Sequence, residues 1–399
     1  MGIQRSACIA ARLSWLAVAT TLLAAAAACQ DETSVGITNW QTTVVAGGGA
    51  MKAGVPAAEG GLKDGAALDA LFDRPVGLAA DSQGNIYVAD SGNHVIRRLT
   101  PGGTVETVAG SGIEGSQDGP ALQAQFRTPV SITVSSDGTI YIVDSVAAQV
   151  RSLKDGQVRT VAGIDNAPCM LPPPKSPGQP PRPDNCLPYP SQPYRDGPAL
   201  EAVLGEPTSL AIGVSGELYL VDSANNAIRK IDKNGDVSLF AGTRTGGQKD
   251  GPAAQAMFFF PVDIAAAPDG AMYVTEAGNR VRRIGPDGEV TTVAGAADGA
   301  EGYVDGRGAA VRFRGPAGIA VGRDGDLFVV DSRNQRIRYI GPAADVTTIA
   351  GKGGQGFATG AGSATQFSVP TDIIVLPDGS IYVADYNLNR VFKLTKVTP

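Results

Sequence analysis

Between Phe72 and Gly110 the chain alternates short apolar runs with tight polar turns. Pro75 to Ala80 is apolar and stops at Asp81-Ser-Gln-Gly84. Asn85 to Ala89 stops at Asp90-Ser-Gly-Asn93, Val95 to Leu99 stops at Pro101-Gly-Gly103, and Thr104 to Ala109 follows. Runs this short, bounded by Gly, Pro, Asn and Asp, predict strands, and the links permit only antiparallel hairpins. The pattern then recurs. An Asp-Gly step (Asp64, Asp118, Asp196, Asp250, Asp305, with Thr359 in the sixth copy) is followed 26 positions later by an acidic residue (Asp90, Asp144, Asp222, Glu276, Asp331, Asp385) in all six copies. Successive acidic positions lie 54, 78, 54, 55 and 54 apart, so one copy carries an insertion of about 24 residues. A repeat of this period means a solenoid or a propeller. The strands are apolar on both sides, so neither face of a sheet made from them can meet water. Stacking such sheets around an axis buries both faces, and the sequence therefore predicts an all-β, six-bladed propeller of four-stranded antiparallel blades.

The ends of the chain predict how the ring closes. The sixth copy stops after its third strand, Val391-Phe-Lys-Leu-Thr395, whereas Thr42-Thr-Val-Val-Ala-Gly47 precedes the first complete blade. An N-terminal strand is expected to complete the last blade, which removes the exposed edges of an open array. The propeller then occupies residues 40–399.

The residues also carry a family likeness. Asn93-His94-Val95-Ile96-Arg97, with YVADS before it and TVAG after, resembles the NHL repeat, and the Asp-Gly-x-Ala…Phe-x-x-Pro lead-in is similar to the variant in teneurins and many bacterial secreted proteins. The resemblance implies the same propeller and no single activity.

Composition narrows the setting. The chain has 399 residues with 52 Gly and 27 Pro, rich enough in turns for an all-β fold, and a formal charge of -6 that argues against binding the phosphate backbone of nucleic acid. Residues 1–28 hold Arg5 and Arg12 and then a nearly unbroken apolar run to Ala28, the pattern of a secretion signal. Ala26-Ala27-Ala28-Cys29 resembles a bacterial lipobox, which implies lipidation of Cys29, and Gln30 rather than Asp after it resembles an outer-membrane address in a Gram-negative cell. Without lipidation the protein is expected to be secreted. Residues 29–39 would form a tether of roughly 35 Å at most. Once Cys8 leaves with the leader, Cys169 and Cys186 remain as a pair inside a proline-rich insertion at 164–195, and a disulfide between them would contribute about 3 kcal/mol.

Recurring residues are read as packing: the apolar residue three positions before the proline (Phe72 and its equivalents) and the second-strand aromatic (Tyr87 and its equivalents) in all six copies, and the acidic residue with a later arginine, as in Asp90/Arg97, Asp144/Arg151, Asp222/Arg229 and Asp331/Arg338, a charge pair expected to tie strands together. Function is sought where the copies differ. Two positions after the proline stand Gly77, Ser131, Ser209, Asp263, Gly318 and Asp372, expected at the narrow end of the central channel. Asp263 and Asp372 are the charges in that ring. With Glu206, Ser209 and Ser131 nearby, they are the candidates for holding a polar ligand or a calcium ion, the alternative being carboxylates that only bind water. The links from each Ala-Gly to the next Asp-Gly step are 17, 8, 33, 8, 10 and 8 residues long, and strand counting places them on the face of the Asp90-type turns.

The chemistry available is limited. The zinc-dependent lyases that resemble this fold need several histidines, and this chain has His94 alone. The Pro-Asn-Gly signature of the calcium lactonases is absent, as are a nucleophile elbow and a phosphate loop. No catalytic residue and no cofactor is assigned. The expectation is a monomeric, membrane-anchored, extracytoplasmic propeller that binds a protein or polysaccharide of the cell envelope. The alternative is a calcium-dependent lactonase or esterase using Asp263, Asp372 and Glu206 at the channel mouth.

Overall fold

The computed structural model describes residues 40–165 and 194–397. Six antiparallel sheets surround one axis. In blade 1 the strands Pro75–Ala80, Ile86–Asp90, Val95–Leu99 and Thr104–Ala109 run in that order from the axis outward. Each blade has five strands rather than the four expected. The fifth is only two residues long, Gly65–Ala66 in blade 1 and Gly360–Ala361 in blade 6, and it pairs with the outer strand. It begins on the glycine of the Asp-Gly step, which in Gly65 adopts a φ of 127° that side chains rarely allow. A two-residue pairing carries no apolar run, so the hydrophobic pattern had nothing to register.

The ring closes as expected. Trp40–Ala46 pairs antiparallel with Arg390–Lys396, placing Val44 opposite Phe392 and Trp40 opposite Lys396, so the two ends of the described chain share blade 6. Six buried clusters follow, one at each junction between blades. At the seam, Phe72, Leu78 and Val88 of blade 1 pack with Ala46, Ala384 and Val391 of blade 6. Phe126 of blade 2 packs with Ala79, Tyr87 and Ile96 of blade 1. The rings at 72, 126, 258, 313 and 367, with Leu204 in blade 3, are fully buried, each worth roughly 1.5–3 kcal/mol of removed apolar surface.

The recurring acid and arginine do tie strands together, within a larger unit. Arg97 is fully buried and bridges Asp90 at 2.8 Å and Asp64, the Asp of the Asp-Gly step, at 2.7 Å. It also donates to the carbonyls of Leu71 and Lys63 and lies 5.0 Å from the Phe72 ring centroid. Asp64 in turn accepts from the backbone N–H and hydroxyl of Thr107. Departures are compensated. In blade 4 the turn is one residue shorter and the longer Glu276 reaches Arg282 at 3.0 Å. In blade 3 Leu204 offers no ring, and Tyr194 stands 4.0 Å from Arg229 instead. Blade 6 replaces the whole polar set: Thr359, Phe392 and Val44 occupy the places of Asp64, Arg97 and Thr107, and Phe392 packs edge-on against Phe367 at 5.2 Å. Asp385 stays because its carboxylate holds the backbone N–H groups of Ser368, Val369 and Leu388.

Candidate functional site

The first strand of every blade is an edge strand facing the axis, with backbone groups that no sixth strand can pair. The residue two positions after the proline answers part of that need. Asp263 of blade 4 accepts from the N–H of Ile264 at 2.9 Å, from the N–H of Ile319 in blade 5 at 2.6 Å, and from the Ser209 hydroxyl of blade 3. Asp372 of blade 6 accepts from the N–H groups of Ile373 and of Leu78 in blade 1, both at 2.7 Å. The Ser131 hydroxyl oxygen accepts from Leu210 N–H at 3.4 Å. These side chains therefore clip blade 2 to 3, 3 to 4, 4 to 5 and 6 to 1 around the axis, while Gly77 and Gly318 leave the other two junctions without such a clip. Gly318 stands between the two acids; a Cβ there would lie 2.6 Å from the Cα of Asp372, so the ring closes around Asp372 only because blade 5 offers no side chain.

Four of the five expected site residues come together. Asp263, Asp372, Ser209 and Ser131 line a channel cavity of about 390 Å³, with the remainder of the six inner strands as its wall. Glu206 does not join them. It is exposed and precedes Pro207, three residues before Ser209, which at roughly 3.3 Å per residue sets it about 10 Å along the strand, on the rim of the Asp90-turn face. Both aspartates keep some exposure to the channel, yet protein surrounds them closely. Burial pushes Asp263 up to about 6 and Asp372 well above the usual carboxylate range, the nearby charge of Asp263 adding to the shift in Asp372.

Calcium takes six to eight oxygens. Here two carboxylates, whose oxygens already accept five hydrogen bonds, are the acidic groups on offer, and no group of three or more His, Cys, Asp or Glu among the described residues is placed to hold a metal. The set fits an interblade clamp better than a calcium cage. His94 has a comparable structural task. In the left-handed region at φ 58°, it sets Nδ1 2.6 Å from the carbonyl oxygen of Arg127 in blade 2, so Nδ1 carries the proton. Asn226, Asn279 and Asn389 sit at the same turn position and accept from Phe260, Gly315 and Arg74 N–H of the next blade. Cys29, Cys169 and Cys186 lie outside the described residues.

The rim holds a further feature that differs between the blades. Six residues preceding the prolines, Arg74, Thr128, Glu206, Phe260, Gly315 and Val369, ring the channel mouth on the Asp90-turn face. In blade 4 Phe259 and Phe260 are 43% and 46% exposed, edge to face at 5.2 Å, and Phe260 holds a φ of 46°, a strained value for an aromatic residue. The signal was the run Phe258-Phe259-Phe260, where the other copies show one buried ring or leucine followed by non-aromatic residues.

Comparison with known proteins agrees with this architecture. Residues 72–99 and 313–338 match the NHL repeat model. SUPPRESSOR OF QUENCHING 1, a chloroplastic protein of Arabidopsis thaliana, is 29% identical over 291 residues, covering 68% of this chain and 25% of that protein. Teneurin-3 of Mus musculus is 28% identical over 246 residues, 55% of this chain and 8% of the relative. The chain thus spans a quarter or less of the length of these relatives. Among solved structures, an auxiliary nutrient binding protein of Bacteroides thetaiotaomicron superposes with a TM-score of 0.64 at 16% identity, covering 90% of this chain and 77% of that one. A gluconolactonase of Xanthomonas campestris superposes with a TM-score of 0.51 at 11% identity, covering 82% and 86%. At these identities the likeness concerns the fold alone. By repeat motif, blade number and closure together, the chain is a six-bladed β-propeller carrying NHL repeats.

Proposed function

We propose that this propeller is a non-catalytic binding module of the extracytoplasmic space, anchored through Cys29, that presents its Asp90-turn face to a protein or glycan of the cell envelope. The observation that carries the reading is the exposed Phe259 and Phe260 pair on that face. Holding Phe260 at a left-handed φ costs on the order of 1–3 kcal/mol, and the side chain so held faces solvent rather than the core. The direction of the chain supports it too. Trp40 pairs with Lys396, at the end of blade 6 opposite the Asp385 turn, so a tether leading to Trp40 would turn the Asp90-type turns away from the membrane. The 164–195 insertion leaves and rejoins the ring on that same outward face.

The second reading is calcium-dependent hydrolysis of a lactone or ester. The fold likeness to a gluconolactonase and the paired Asp263 and Asp372 favour it, while the separation of Glu206 from that pair weighs against it. The test is recovery of partners from solubilised envelopes with intact protein, with Phe259→Ser/Phe260→Ser, and with a deletion of 166–192, after checking that each variant melts as the parent does. Reduced recovery by the rim variants is expected. Equal recovery by all three proteins, together with calcium-dependent lactone turnover abolished by Asp263→Asn, would replace the binding reading with the enzymatic one.

A further inference from the structure

Because the blade is written six times, each copy is a control for the others. The hairpin joining the first and second strands uses its acid to hold its own turn. In blade 1 Asp81 accepts from the N–H groups of Gln83 and Asn85, both at 2.9 Å. In blades 2, 4 and 6 Asp137, Asp269 and Asp378 accept from Thr139, Ala271 and Ser380 N–H at 3.1, 3.0 and 2.8 Å. Blades 3 and 5 depart: Gly213 and Gly322 stand where blade 1 has Asp81, and Glu217 and Asp326 where it has Asn85, but Glu217 pairs with Lys230 at 3.6 Å. Neither Asp324 nor Asp326 is in an ion pair among the described residues, and the same holds for Arg323 and Lys396 beside them.

These four charges, with Asp378, line a cleft of about 770 Å³ between blades 5 and 6, on the face opposite the Asp90-type turns. Its floor is aromatic: Trp40 meets Phe328 edge-on at 6.2 Å, and Phe328 meets Tyr339 at 5.5 Å. Trp40 reaches this place because the closing strand runs to Lys396, so the junction is unlike the others. Burial, with the charge of Asp324, holds the half-buried Asp326 carboxyl above its ordinary range, and burial with both carboxylates raises the Tyr339 hydroxyl. The site thus holds Asp326 with no cation in ion-pair contact, Lys396 close enough to offset only part of its rise, Arg323 at the edge, and an apolar floor.

We propose that this cleft binds a small zwitterion with an apolar side chain, of amino-acid or short-peptide size. The ammonium would meet Asp326 and Asp324, the carboxylate Arg323 and Lys396, and the apolar side chain the Tyr339 end of the floor. The volume is within the usual range for small-ligand sites. This inference is independent of the macromolecular binding at the rim.

The test is titration calorimetry of the full chain with the dipeptide Leu-Phe and with its N-acetyl and C-amide forms. Leu-Phe is expected to bind with a Kd of about 1 mM or tighter, and capping the amine should weaken it about 10-fold. Asp326→Asn should cause the same loss with free Leu-Phe and no further loss with the acetylated form; Lys396→Ala should do likewise for the amide. Asp324→Asn provides a second acidic variant should Asp326→Asn melt early. Phe259→Ser/Phe260→Ser should leave Leu-Phe binding unchanged. No binding at about 20 mM, or equal binding of free and blocked dipeptides, overturns the assignment.

Discussion

Blade 6 shows what this fold accepts in place of a buried arginine, and that supplies a sharp experiment. Arg97→Phe in blade 1 removes the cation that meets both Asp90 and Asp64 and takes one donor each from the carbonyls of Leu71 and Lys63, which keep their backbone partners. Asp90, fully buried, is left without its partner, and losing one member of a buried pair costs roughly 3–5 kcal/mol. The phenylalanine itself should fit, since Phe392 packs against Phe367 where residue 97 would pack against Phe72. Adding Asp64→Thr and Thr107→Val reproduces the blade 6 set, in which Asp385 is held by backbone N–H groups without a cation. Asp90 retains comparable donors in the N–H of Asp73 and the Asn93 amide. The triple variant should therefore lose less than about 2 kcal/mol, although each added change alone, made with Arg97 present, should destabilise. Reversible denaturation gives the comparison; at about 2 °C per kcal/mol for a large domain, the single variant should melt roughly 6–10 °C low and the triple within about 4 °C of the parent. A triple variant as unstable as Arg97→Phe would refute the idea that these residues act as one unit.

Other outcomes follow from the same geometry. Deleting residues 40–47 removes the shared strand of blade 6 and should cost more than deleting any surface loop; an unchanged melting temperature would contradict closure by that strand. Asp263 has a folded pKa raised by burial to about 6, so its stabilising protonation is complete below about 4 and lost as pH rises through 6. Asp263→Asn should accordingly flatten the stability profile between those values, and an unaltered slope would count against the shift. Phe260→Gly relieves a left-handed φ that glycine tolerates, as Gly315 does at the equivalent place with φ 56°, and should raise stability by about 1 kcal/mol while weakening partner recovery. A stability loss there would mean that the ring packs rather than projects.

The blade number, the closing strand and the packing roles of Phe72 and its equivalents were legible in the sequence, because a sheet apolar on both faces has to be covered twice and a repeat with a displaced strand has to borrow it from the other end. The pairing of Asp90 with Arg97 was legible as well, though the part played by Asp64 was not: the three meet only after the chain crosses from the outer edge of the sheet to its inner strand. The ring of residues two after the proline placed Asp263 and Asp372 in the channel, but spacing alone left open what their oxygens touch. Tertiary structure decided that, since the N–H groups they accept come from the next blade. It also separated Glu206 from them, because three residues along a strand are about 10 Å in space. The cleft beneath Trp40 has no signature in any single repeat; it forms where the closing strand meets blade 5, a junction that exists only once the ring is shut.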